Sequence, residues 1–247
     1  MRVTVKAHAR LHFGFIDPDG SSGRKFGSIG LAIDKPAIML DVTPAARLSA
    51  TGQERDRVLA LAHRFLRHYK LHHGARIHRQ GHDPGSYRPR ARGHNWPLSV
   101  AAALARLFSI DADIRELAAV MGRGGRSGIG IAAFERGGFI VDAGRRVNTD
   151  RTVESGGWSL DLTPPTLVRY HFPTDWTFVV AIPYAGCGLA GTAETKAFHR
   201  LGGRPAGAAG RLSQILLMQM LPAVLERDPV VFGESLTTIQ RIVGNWF

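Results

Sequence analysis

The chain has 247 residues, 44% of them hydrophobic and 21% charged, the proportions of a globular protein rather than of a disordered or fibrous one. Its single cysteine, Cys187, excludes an internal disulfide and a multi-cysteine zinc site, and a formal charge of +12 favours anionic partners. No apolar run reads as long enough for a leader or a membrane span, ILLMQMLPAVL being short and interrupted by Gln219 and Pro222, so a cytoplasmic protein is expected.

VTVKAHARLHFGF alternates apolar and polar residues and predicts a strand buried on one side. IDPDGSSGRKFGS reads as turn chemistry. IGLAIDKPAIMLDVTP predicts one long, bent strand, and RLSATG a shorter one. Residues 56–71 place Val58, Leu61, Ala62, Phe65, Leu66 and Tyr69 on one helical face. ARIHRQG predicts a strand, the segment from Gly81 to Pro97 a loop, and LSVAAALARLF a helix. IDADIRELAAVMG predicts a second helix, with Asp111 or Asp113 near its start and Gly122 beyond its end. FERGGFIVDAG reads as a hairpin turning at Arg136-Gly137-Gly138, WTFVVAIPYA as a strand, and the chain from about Thr192 onward as helix, with Met218 and Met220 in the core. Strands early and helices late give an α+β fold, a mixed sheet with helices followed by a mainly helical C-terminal part.

Two stretches carry chemistry. In the first, GRGGRSGIG, Gly128-Ile129-Gly130-Ile131-Ala132-Ala133 fits G-x-G-x-x-A, but a helix before it and a hairpin after it exclude a dinucleotide fingerprint. The absence of G-K-[ST] excludes a Walker A loop. An anion-binding turn remains: the backbone N–H groups of Gly124, Gly125, Gly128 and Gly130, the Arg123 and Arg126 guanidinium groups and the Ser127 hydroxyl suit phosphate or carboxylate. In the second, Arg10 and His12 share one strand face while Leu11 and Phe13 point the other way. Asp17, Asp19, Arg24 and Lys25 follow in a glycine-rich loop able to fold over that face. The His68, His72 and His73 cluster lacks a carboxylate partner and reads as surface histidine. Between Arg64 and His94, eight Arg/Lys and six His meet only Asp83, with no aromatic interleaving of a nucleic-acid-binding kind.

Together, "ARLHFGFIDPDGSSGRKFGSIGLAI" and "GRGGRSGIGIAAFERGGFIVD" resemble the beta-ribofuranosylaminobenzene 5'-phosphate synthases, and "IPYAGCGLAGTAETKAF", with Gly191, Glu194 and Phe198, resembles a third segment of that family. The resemblance implies a GHMP-kinase-like fold, with 1–160 as the N-terminal domain and 161–247 as a C-terminal α+β domain shorter than the family's. It also implies a reaction: phosphoribosyl pyrophosphate joins 4-aminobenzoate or 4-hydroxybenzoate with loss of carbon dioxide and pyrophosphate, in tetrahydromethanopterin biosynthesis. His12 and Arg126 would then be catalytic, and Arg10, Asp17, Arg24, Gly27, Ser28, Arg123, Gly124, Gly125, Ser127, Gly128 and Gly130 would bind substrate. No resident cofactor is implied, magnesium being an optional companion of the pyrophosphate group. The implied partners are anionic small molecules, with no membrane or nucleic acid and with homodimerisation left open. A small-molecule kinase and a basic nucleic-acid-binding module are the alternatives; GHNWPLSVAAALARL, lacking the glycine repeat that holds ATP phosphates in GHMP kinases, speaks against the first.

Overall fold

The computed structural model describes residues 1–52, 54–80, 95–147, 163–181 and 207–246. Strand β1 (Val3–Asp17) and the 22-residue β2 (Arg24–Ala45) form a long antiparallel hairpin. β1 covers one edge of β2; the other edge takes β4 (Gly74–Gln80) and β5 (Phe139–Asp142) end to end. β3 (Ser49–Thr51) adds to β4 in parallel, β7 (Thr166–Tyr170) pairs with β5 antiparallel, and the two-residue β6 (Arg145–Arg146) pairs with the start of β2. The sheet is therefore mixed, as expected for the α+β class.

Two apolar cores form on this sheet. Helices α1 (Arg55–His68), α2 (Trp96–Leu107) and α3 (Ile114–Val120) cover Val3, Ala7, Ile38, Leu40 and Val42. The period-3.6 pattern of α1 buries Val58, Ala62, Phe65 and Leu66. Asp113 caps α3 by accepting the Glu116 N–H at 2.7 Å, and Gly122 turns the chain beyond it at φ 67°. The second core joins Phe13, Ile29, Leu31, Phe139 and Val141 to helix α5 (Ala208–Ile215), α6 (Leu221–Glu226) and α7 (Pro229–Gly244).

Several elements differ from the sequence expectation. The turn between β1 and β2 is only 18–23, because the Asp17 carboxylate collects the N–H groups of Gly20, Ser21 and Ser22 at 2.8–3.2 Å and closes it tightly. The hairpin expected over FERGGFIVDAG is instead helix α4 (Ile129–Arg136) followed by β5. Ile129 and Ala132 pack on Ile140, so tertiary burial overrides the strand preference of the isoleucines. Gly137 and Gly138, both at positive φ, then reverse the chain, and a Cβ on Gly138 would stand 2.4 Å from the Tyr170 carbonyl oxygen.

Residues 176–181 form no strand; the strand beside β5 is Thr166–Tyr170, while Phe178 packs into the Phe172, Trp176 and Phe232 aromatic cluster. The apolar run broken by Gln219 and Pro222 in the sequence is continuous helix over Ala208–Glu226, long and apolar enough by composition to cross a membrane. A π-helical stretch, Leu216–Met220, precedes Pro222, and a π turn accommodates the missing N–H of proline. Met220 on this helix is fully buried, but Met218 is 67% exposed and lies outside the core.

Candidate functional site

Arg10 and His12 project from β1 on the side opposite Leu11 and Phe13, which pack into the second core. A bulge between His12 and Gly14 breaks the register with β2 at this point and re-aims the chain. Helix α7 seats on the bulge: Gln240 Nε2 donates to the Phe13 carbonyl, and a Cβ on Gly14 would stand 3.2 Å from the Val243 methyls. The imidazole is fixed from two sides. Its Nδ1 accepts the Gly14 N–H at 3.2 Å, and its ring meets Phe15 edge-on at 4.8 Å. With Nδ1 as acceptor, the neutral ring carries its proton on Nε2.

The glycine stretch comes to the same place. Arg10 reaches α4, where a Cβ on Gly130 would stand 3.1 Å from Arg10 Cζ and Nε. Asn95, just ahead of α2 and 2% exposed, donates through Nδ2 to the Gly130 carbonyl and so ties α2 to the first turn of α4. Burial first, and then the Arg123 guanidinium, lower the Arg10 guanidinium to about 10, which leaves it fully charged at neutral pH. Burial and then Arg10 push the His12 imidazole down to about 4, although the ring keeps access to solvent. Two guanidinium groups and a neutral imidazole thus converge where the neighbouring charges disfavour further positive charge. An anion relieves that repulsion. Arg126 is half-buried on the same turn.

Other predicted residues form a brace beside this cluster. Asp142, fully buried, accepts the Gly128 N–H through Oδ2 and the Gly144 N–H through Oδ1, both at 2.8 Å, and the Ser127 hydroxyl at 3.4 Å. Burial raises its pKa, and the bonds from Gly144, Gly128, Ser28 and Ser127 act against that rise. Ser127 Oγ also accepts the Ile129 N–H at 3.2 Å. Arg24 donates to the Ala143 and Gly144 carbonyls at 2.7 and 2.9 Å. The polar groups of Arg24, Ser127 and Gly128 therefore hold the turn in shape, as Asp17 does for the β1–β2 turn, where bonds from Asp19, Ser22 and Gly20 outweigh burial and keep its carboxyl well below the usual range. Gly124 (φ 94°) lies 3.0 Å from Ile131 and Thr163, measured from the position of a Cβ, and Gly27 turns at φ 62°. The lone signal for Asp142 was its place at the end of a predicted strand; nothing in the sequence marked Asn95.

The dinucleotide fingerprint remains excluded by its leading flank, since α3 rather than a strand precedes the glycines, although a helix does follow them. Among the described residues, no group of three His, Cys, Asp or Glu is arranged to hold a metal. Gly191, Glu194 and Phe198 lie outside the described residues, as does Cys187.

The fold is that of the GHMP kinases. It superposes on Streptococcus pneumoniae phosphomevalonate kinase in complex with phosphomevalonate and AMPPNP (TM-score 0.61, 12% identity, 99% of this chain and 80% of that one). It likewise superposes on mevalonate diphosphate decarboxylase from Staphylococcus aureus (TM-score 0.57, 12% identity, 99% of this chain and 73% of that one). No family model matches the chain. Among curated proteins, it is 33% identical to the beta-ribofuranosylphenol 5'-phosphate synthase of Methanothermobacter thermautotrophicus, over 97% of this chain and 76% of that relative. It is 31% identical to the synthase of the same name from Archaeoglobus fulgidus, over 97% and 76%. The chain belongs to the beta-ribofuranosylphenol 5'-phosphate synthase family.

Proposed function

We propose that the chain is a cytoplasmic pentosyltransferase that condenses phosphoribosyl pyrophosphate with 4-hydroxybenzoate or 4-aminobenzoate, releasing pyrophosphate and carbon dioxide, in tetrahydromethanopterin biosynthesis. The observation that carries this reading is the packing of Arg10 on Gly130, at the start of α4, within electrostatic reach of Arg123. Two mutually repelling guanidinium groups beside a helix N-terminus suit a polyanion such as pyrophosphate. Its departure from C1 of the ribose takes the bonding electron pair, and the cations stabilise that developing charge. The aromatic carbon bearing the carboxylate attacks C1 as the para hydroxyl or amino group gives up a proton to water, leaving a cyclohexadienone or its imine with that oxygen or nitrogen para to the new bond. Loss of carbon dioxide then returns an electron pair through the ring to that atom, which takes a proton back.

His12 has a defined part in this scheme. With Nδ1 engaged by Gly14, the neutral ring presents Nε2–H, a donor for the phenolate oxygen as the ring regains aromaticity. It polarises the para substituent rather than removing its proton. Arg126 holds pyrophosphate or the benzoate carboxylate, magnesium entering only as a partner of the pyrophosphate.

Titration calorimetry tests this reading. Phosphoribosyl pyrophosphate is expected to saturate the wild-type protein at one site and to bind at least tenfold more weakly to Arg10→Ala and Arg123→Ala. ATP binding of similar strength, lost in the same variants, would instead favour a kinase.

A further inference from the structure

A second basic depression lies far from this cluster, where the β2–β3 connection meets the C-terminal end of α1 and the segment leading into β4. It is a bowl of about 370 Å³, the size of one small-molecule site. Arg47, Arg67, His63, His72 and His73 line it, Leu66 and Leu71 contribute an apolar floor, and no carboxylate among the described residues borders it. Arg47 and Arg67 form no ion pair and no side-chain hydrogen bond among the described residues. The wall carrying Arg47 is held rigidly. A Cβ on Gly74 would stand 2.5 Å from the Arg47 backbone N and C and 2.6 Å from the Ala45 carbonyl oxygen, so the connection rests directly on that glycine. His73 in turn stacks on Phe108. Ala32, the partner of Arg10, and Ala46 are separated by roughly 40 Å of extended strand, so the bowl and the Arg10 cluster are different places.

We infer that this bowl binds a small phosphomonoester with an apolar body. Two guanidinium forks with no acidic partner among the described residues suit a phosphate dianion. Leu71, half-buried, offers a surface for the rest of the molecule. An RNA strand would need a basic track running past several nucleotides with rings for base stacking; a bowl of this size matches a single small ligand. The inference is independent of the synthase reading, since no residue is shared between the two sites.

Residue-resolved NMR tests it, with phenyl phosphate as the probe and inorganic phosphate and a single-stranded RNA oligomer as comparisons. Phenyl phosphate is expected to shift the amides of Arg47 and of Leu71–Gly74 saturably, and inorganic phosphate to do so about tenfold more weakly. The Arg47→Ala/Arg67→Ala double variant should weaken the response at least tenfold, while Arg10→Ala should leave it unchanged. Absence of shifts at these amides, shifts that survive in the double variant, or saturation by RNA below the phenyl phosphate concentration would each overturn the inference. Equal affinity for inorganic phosphate would remove the apolar body from it.

Discussion

The Arg10 guanidinium packs directly on the backbone of Gly130: a Cβ there would stand 3.1 Å from both Cζ and Nε. This joins a strand residue to the first turn of a helix 120 positions away and sets the position of the charge. Gly130→Ala should therefore displace the guanidinium while leaving the fold intact. The alanine gains about 1 kcal/mol of helix propensity, which offsets the local crowding, so thermal stability should change little. The KM for phosphoribosyl pyrophosphate should rise at least tenfold. Steady-state kinetics beside a melting curve check both halves.

Arg126 separates charge from geometry. If it stabilises departing pyrophosphate, Arg126→Ala should cost about 3–4 kcal/mol in kcat/KM, the scale of one lost transition-state donor. Arg126→Lys keeps the charge but not the two-pronged donor and should recover only part of that. Neither change should lower the melting temperature appreciably, because no core cavity is opened. Equal activity in all three proteins would remove Arg126 from the site.

The brace predicts a different signature. Asp142→Ala removes the acceptor for the Gly128 and Gly144 N–H groups, both buried, and should destabilise the protein by about 2–4 kcal/mol, from two unsatisfied donors. Equilibrium urea unfolding measures it. Unlike the Arg126 variants, this one should lose stability and activity together.

His12 yields the pH dependence. Its folded pKa of about 4 lies below the ordinary histidine value of about 6.5, so the unfolded state takes up the proton first as pH falls. Stability linked to His12 is therefore full above pH 6.5 and is lost as pH falls from there toward 4. His12→Gln should flatten that part of the stability profile. The ring should titrate near pH 4 by NMR, and kcat/KM should show no inflection from His12 near pH 6.5.

Much of the fold was legible because it rests on periodicity. The alternation of β1 and the 3.6-residue pattern of α1 each answer to one buried face, which the sequence displays. The misread segment, FERGGFIVDAG, is decided by contacts: it begins inside helix α4, which packs through Ile129 and Ala132 on Ile140. The candidate site shows the same division. Arg10, His12 and Arg123 were visible as two guanidinium groups and an imidazole on a strand face and among glycines, and they do converge. Asp17, Arg24 and Ser127 look alike in sequence, but their polar groups close turns, which only the hydrogen bonds reveal. Asn95 acts through a partner distant in sequence and left no local signal, and Asp142 showed only as the end of a predicted strand.

The most direct measurement is incubation of the protein with phosphoribosyl pyrophosphate and 4-hydroxybenzoate or 4-aminobenzoate labelled with carbon-13 at the carboxyl group. Labelled carbon dioxide and pyrophosphate should appear in equal amounts with an unlabelled aryl riboside 5'-phosphate, identified by mass, and Arg10→Ala should abolish all three together. Carbon dioxide absent for both benzoates, or a riboside that retains the label, would contradict the account.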